Sequence, residues 1–372
     1  MMRKALVLIL FMLTTLSMIY VLPVDAQSYQ TITINANGNI TPSDAALKRD
    51  GHIYTITADF SLSIIVEANN VIIDGANHTL QGPSINENSI ALNLTAANIT
   101  VENIHITNWK VGVLGVWNNN TIANNEFTNN YEGIVIYGDD YVVRQNSISN
   151  STTGLFIDGG FRPQGDNNLI IQNQIIGNNE AFDITNSNGT TITTNSIANN
   201  DVILVLGQTA GKTILYSNNF INNTQALDIP VDYPTWESFV PISPAGQWDN
   251  GTVGNYWSDY TARYPNASEI DHTGIGNTPY AIANTLSYSE SFENGTDITK
   301  VAVLGTAIDN YPLMTPISTS TATLTTSSTA SPSVPEFPSG IIIISLLVAT
   351  CSVALVTLKY QAKSVYKPLT WY

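Results

Sequence analysis

The sequence predicts an all-β chain wound as a right-handed parallel β-helix, with a cap at each end and one C-terminal transmembrane helix. Three observations carry that expectation. A unit of about 21 residues repeats along the middle of the chain, each unit holds short alternating apolar runs between turn residues, and asparagines recur in register from unit to unit.

The repeat is direct. Gly112, Gly133 and Gly154 are 21 residues apart. One unit reads 111–116 then 121–130, and the next reads 132–137 then 141–150. Further units begin at Thr153, Glu180 and Asp201, and more degenerate ones near Ser63 and Ile90. A unit this short has no room for the helical crossover of an ordinary parallel sheet. It suits three short strands and three turns, one rung of a coil of roughly seven to nine rungs whose stack buries a core no single rung could bury. The unit at Thr153 carries an insertion, 160–166.

The asparagines form two columns: Asn125, Asn146, Asn173, Asn195 and Asn218, and Asn108, Asn129, Asn150, Asn199 and Asn222, the second interrupted by Gly177. Stacked identical amides can hydrogen-bond along the axis, so both columns are expected to be structural ladders.

The flanks divide the chain. Residues 1–26 read as a signal peptide, with Arg3 and Lys4, an apolar stretch Ala5 to Val21, and Val24-Asp25-Ala26 before Gln27; an uncleaved anchor is the alternative. Residues 27–62 form the N-terminal cap, 63–224 the repeats and 225–315 an aromatic-rich C-terminal cap covering the last rung. A Ser/Thr/Pro stalk, 316–339, precedes an uncharged apolar run, 340–358, long enough to span a bilayer. Lys359, Lys363 and Lys367 follow in a tail, 359–372, that the positive-inside bias keeps cytoplasmic. The single cysteine, Cys351, lies in that run, so no disulfide is expected outside the membrane. Eleven Asn-x-Ser/Thr sequons precede the run, among them Asn77, Asn93, Asn98, Asn119, Asn188 and Asn294. The net charge of −16 opposes nucleic acid and anionic lipid as partners.

The repeats resemble those of the NosD-type and carbohydrate-binding/sugar-hydrolase β-helix family. The segments 50–57, 63–67 and 71–82 resemble the opening of archaeal surface proteins of that family. The segments 254–260, 274–280 and 309–314 resemble their closing part. Pro335-Glu336-Phe337-Pro338 before the apolar run resembles the PEF-type sorting signal of archaeal surface proteins, which implies processing by a sortase-like enzyme. The resemblance covers roughly residues 30 to 315 and implies the fold and a cell-surface setting.

Three chemistries are open to the repeats. A polysaccharide hydrolase needs neighbouring carboxylates: Asp139 and Asp140, with Asp158 about one rung later, are the catalytic candidates, and Asp183 is a further one. The bland reading of Asp139-Asp140 is a turn. A lyase needs Ca²⁺ and a basic residue, for which Arg144 and Arg162 are the candidates. Trp248 and Trp257 either close the last rung or offer stacking platforms to a sugar. Copper, which the NosD name suggests, wants Cys, Met and His. His52, His78, His105 and His272 show no ligand-like spacing, and Met314 is the only methionine between signal and membrane run. No cofactor is therefore expected, Ca²⁺ entering only with the lyase.

The favoured expectation is a non-catalytic, membrane-anchored surface module that binds extracellular glycans or surface proteins. A hydrolase or lyase acting through a carboxylate cluster, and a purely structural envelope component, are the alternatives.

Overall fold

A computed structural model describes residues 31–43, 45–159, 166–187, 189–207, 213–228, 246–283, 286–291, 297–302 and 306–318. The signal segment 1–26, the stalk beyond residue 318, the apolar run 340–358 and the tail lie outside these residues. No helix among the described residues is long and apolar enough to cross a membrane.

The chain is all-β and coils into a solenoid of three long sheets. The ten-stranded sheet runs Ile40–Thr41, Ile32–Ile34, Ile64–Val66, Ile90–Leu94, Val111–Gly115, Glu132–Ile136, Thr153–Asp158, Glu180–Thr185, Val202–Leu206 and Gln225–Asp228. A nine-stranded sheet holds the second strand of each rung, such as Thr121–Ala123 and Val142–Arg144, and an eight-stranded sheet the third, such as Glu126–Thr128 and Ser147–Ser149. Within the stack the pairing is parallel and advances by one repeat, as in Glu132↔Thr153, Val142↔Leu169 and Ser147↔Gln174. Parallel pairing begins at Ile32–Ile34, inside the segment expected as a cap. Only the edge strands Ile40–Thr41 and Leu47–Asp50 turn back antiparallel there.

Each short strand sends its middle residue inward. Ile122, Val143, Ile170, Ile192 and Leu215 stack in one such column with no exposed surface. Burying a side chain of this size is worth about 1.5–3 kcal/mol relative to leaving it in water, and it is gained only when rungs stack.

The recurring glycines, Gly112, Gly133 and Gly154, are the second residues of successive strands in the ten-stranded sheet. A Cβ at Gly133 would lie 2.6 Å from the carbonyl oxygen of Gly154, and one at Gly154 would lie 2.7 Å from that of Ala181. The rungs are too closely stacked there for a side chain.

The first asparagine column is a buried ladder, as expected. The backbone N–H and Nδ2 of each amide donate to the Oδ1 of the next, from Asn125 through Asn146, Asn173, Asn195 and Asn218 to Asn255, at 2.8–3.1 Å. The second column corrects the expectation by one residue. Asn108, Asn129, Asn150, Asn199 and Asn222 have φ of 53–65°, so they are left-handed turn residues, and Gly177 at φ 69° continues rather than breaks their series. The ladder lies one position later, through Asn130, Ser151, Asn178, Asn200 and Asn223. A left-handed residue followed by a buried one, apolar in the early rungs (Ile99, Ile104, Trp109) and mostly polar in the later ones, is thus the turn rule of this coil.

Past Gln225–Asp228, an aromatic cluster closes the core. Phe220 packs on Trp257 (4.6 Å between ring centroids) and on Trp248 (5.9 Å), and Trp257 stacks on Tyr280 (4.1 Å, 4° between planes). A short helix, Tyr260–Arg263, places the Arg263 guanidinium 4.7 Å from the Tyr280 ring centroid. The Asn125 ladder ends here: the Asn255 N–H donates to Asp309 Oδ2 at 2.7 Å, and Asp309 also accepts from Trp257 Nε1 (2.9 Å) and the Tyr311 N–H (3.0 Å). Burial, outweighing these donors, pushes the Asp309 carboxyl up to about 6. Asn219 then clamps the departing chain, donating to the Ile317 carbonyl and accepting its N–H, both at 2.9 Å.

Candidate functional site

The sequence candidates separate in space. Asp139 and Asp140 lie in the turn between the ten- and nine-stranded sheets. Asp139 exchanges hydrogen bonds with Asn118 (backbone N–H to Asn118 Oδ1 and Asn118 Nδ2 to Oδ2, both 3.1 Å). Asp140 is left-handed at φ 59° and accepts from Asn167 Nδ2 at 3.3 Å, so it follows the turn rule. Arg144 belongs to the nine-stranded sheet, where its guanidinium bonds Gln145 at 2.7 Å. Arg162 lies outside the described residues. The stacking-platform reading of Trp248 and Trp257 is corrected: they are 1% and 4% exposed, because their rings close the core at the last rung.

Asp158 alone of the three catalytic candidates stands on the outward face of the ten-stranded sheet. It occupies the register position of Tyr137 one rung later, since Ile136 pairs with Ile157. It also lies diagonal to Asp183, because Phe156 pairs with Asp183 and Asp158 with Thr185. Diagonal neighbours of this kind have Cβ atoms roughly 7–8 Å apart or somewhat less. Glu132 and Glu180 flank them in a column with Thr153 between, and Thr153 donates to Glu180 Oε2 at 2.9 Å. Asp158 accepts from Asn186 Nδ2 at 3.1 Å.

Aromatic side chains share this face and its rim. Tyr137 is 41% exposed and meets Phe156 edge-on at 6.1 Å. Trp117, 58% exposed, stands at the rim, and Lys110 caps the ring of Tyr131 at 3.0 Å.

The electrostatics bind the group together. Burial first, then Glu180, Glu132 and Asp158, push the Asp183 carboxyl up to about 6. Burial also raises Glu132, with Lys110 opposing. Tyr137 is raised by burial and by Glu132 and Asp158. A carboxyl that holds its proton to near neutrality beside other carboxyl groups can donate or accept a proton, and the rings beside it can carry an apolar sugar face.

A family model described as periplasmic copper-binding protein (NosD) matches residues 24–182 and, overlapping them, 62–262. The chain belongs to the NosD family. No curated protein matches it. The described residues of this NosD-family chain do not fit a copper ion. His78 Nδ1 is bonded to Asp59 at 2.9 Å and His105 Nε2 lies 3.3 Å from Glu126, while Met314 packs against the core. Among the described residues no three His, Cys, Asp or Glu converge as metal ligands. Copper's soft ligands are therefore not assembled there.

Sequence reasoning missed Glu132, Glu180, Tyr137, Phe156 and Trp117. The signal was present: aligning the repeats by Gly133 and Gly154 puts Tyr137 and Asp158 in one column and Phe156 and Asp183 in another.

Proposed function

We propose that this NosD-family protein is an exported, membrane-tethered surface module that binds an extracellular glycan along the outward face of its ten-stranded sheet. The family's periplasmic description, the signal-like segment 1–26 and the apolar run 340–358 support export and tethering. The PEF-like motif supports processing at the tether. The coil is right-handed, as crossovers between parallel strands of one sheet are in about 98% of cases. One observation carries the binding reading: Tyr137 and Phe156 accompany Glu132, Asp158, Glu180 and Asp183 along one face of the ten-stranded sheet, with Trp117 exposed at its rim. Rings stack on sugars, carboxylates accept hydroxyl protons, and a straight row of rungs suits an extended polymer.

The test is a glycan array probed with the full-length protein in detergent. Tyr137→Ala is expected to weaken the best ligand about tenfold, the size of one well-placed aromatic contact. Undiminished binding by that variant would remove this face from the reading.

Hydrolysis is the second reading, favoured by the Asp158–Asp183 pair. Two carboxyl groups at such a spacing, one with a raised pKa, are what glycoside cleavage requires. New reducing ends abolished by Asp183→Asn would establish it.

A further inference from the structure

The outward face of the ten-stranded sheet does not end at Glu132. Its central column runs back through Phe156, Val135 and Leu114 to Asn93, each paired with the next. Beside Asn93 the segment Glu87–Ser89 borders a cleft of about 550 Å³, whose other lining includes Thr31, Ser63 and Ile65. The Asn93 Oδ1 is buried in this wall and accepts no hydrogen bond.

A buried acceptor without a donor costs about 1–3 kcal/mol, and the great majority of such atoms in folded proteins are satisfied. The amides of the two ladders, by contrast, accept from the rung before and donate to the rung after. The stacking of the rungs does not demand an amide here, because the same column holds Leu114 and Val135 in the next two rungs; Asn93 also opens the sequon Asn93-Leu94-Thr95, a second use for its amide that the experiment separates. An apolar residue at 93 would satisfy the fold at lower cost. An orphaned acceptor on the wall of an open cleft is what remains when its donor belongs to a ligand.

We propose that this cleft is a terminal subsite, taking the end sugar of the bound glycan through a hydroxyl or amino group that donates to Asn93 Oδ1. The inference rests on the glycan reading of the same face. The ionisable group on its wall is the Glu87 carboxylate, so the unit it takes carries no carboxylate of its own. From Asn93 to Asp183 is four rung steps, about 19 Å at the usual strand spacing. A ligand must therefore be several sugars long to fill the cleft and still reach the Tyr137–Asp183 region. Affinity should rise with chain length and then level off once both ends are engaged.

The experiment compares full-length wild type, Asn93→Leu and Tyr137→Ala, all produced without N-glycosylation so that the sequon at Asn93 plays no part, on a length series of the best array glycan, with urea unfolding alongside. The expected result is opposite signs for Asn93→Leu: unfolding shifts to higher urea, and binding of the long ligand weakens about tenfold. The length plateau should disappear with it, while Tyr137→Ala weakens binding and leaves stability nearly unchanged. Binding that depends on Tyr137 and is indifferent to Asn93→Leu would overturn the subsite and leave the face intact. Absence of binding to every glycan, or capture only of basic peptides, would overturn both. A uronic-acid terminus preferred over its neutral counterpart would overturn the ligand class.

Discussion

The ten-stranded and eight-stranded sheets are built on the same rungs and turned by the same residues, yet their outward faces differ. The eight-stranded sheet turns outward a column of Thr79, His105, Glu126, Ser147, Gln174 and Ser196, mostly small or neutral polar groups. Over the same rungs the ten-stranded sheet shows Tyr137, Phe156, Asp158, Glu180 and Asp183. The inward columns of both are apolar and fully buried. Packing fixes the inward residues and leaves the outward ones unconstrained. A face that departs from the cheap solution of Ser, Thr and Gln is therefore informative, and one that adopts it is scaffold.

The comparison breaks most severely if the shared interior is damaged. Asn173 accepts from both the N–H and Nδ2 of Asn146 and donates to Asn195 Oδ1 and the Val143 carbonyl. Asn173→Ala strands several buried polar groups at once, and chemical unfolding should show a loss of about 3 kcal/mol or more. Both faces should lose protection in hydrogen exchange together, because each rung contributes a strand to all three sheets.

A smaller effect separates the faces by pH. The folded state holds the Asp183 proton up to about 6, above the ordinary carboxyl value of 3.8, so the folded form binds protons more tightly. Stability is then highest below the unfolded value and falls as pH rises through about 6. Asp309 adds a slope of the same sign. Asp183→Asn should remove its share, about 1 kcal/mol once solvent screening of this partly exposed group is allowed for, and urea midpoints from pH 4 to 8 would show the flatter curve.

The smallest expected effect is on the eight-stranded face. Ser147→Ala should change stability by less than about 0.5 kcal/mol and leave glycan affinity unaltered in the same array. A binding loss there comparable to that of Tyr137→Ala would erase the distinction between the faces.

The coil was legible because its causes are local and repeated. Period-two alternation gives the strands, and the 21-residue spacing of Gly112, Gly133 and Gly154 gives the rung. The second asparagine column misled by one position, since a left-handed turn residue and a buried ladder residue are both asparagine and adjacent. Gly177 was the clue: only a turn needing positive φ would exchange Asn for Gly. Trp248 and Trp257 left two readings open, cap or sugar platform, because composition does not say which side of a cap a ring faces; their burial selects the cap. The candidate site was half legible. Asp158 and Asp183 were named, but their partners came from residues that carry no motif and matter only through cross-rung register. The orphaned oxygen of Asn93 was not legible, since an unmet hydrogen bond exists only in three dimensions.

The Asn125 ladder runs in one direction, each rung donating forward to the next, and it ends on the Asp309 carboxylate. Asparagine both gives and receives, so a row of them could be prolonged indefinitely. An ionised carboxylate only receives. Once Asp309 has taken its three N–H donors it has no proton to offer a further rung, and the sequence of bonds stops as a polymer stops at a chain terminator. The same buried side chain thus ends the ladder and ties the closing segment 309–311 to the last rungs.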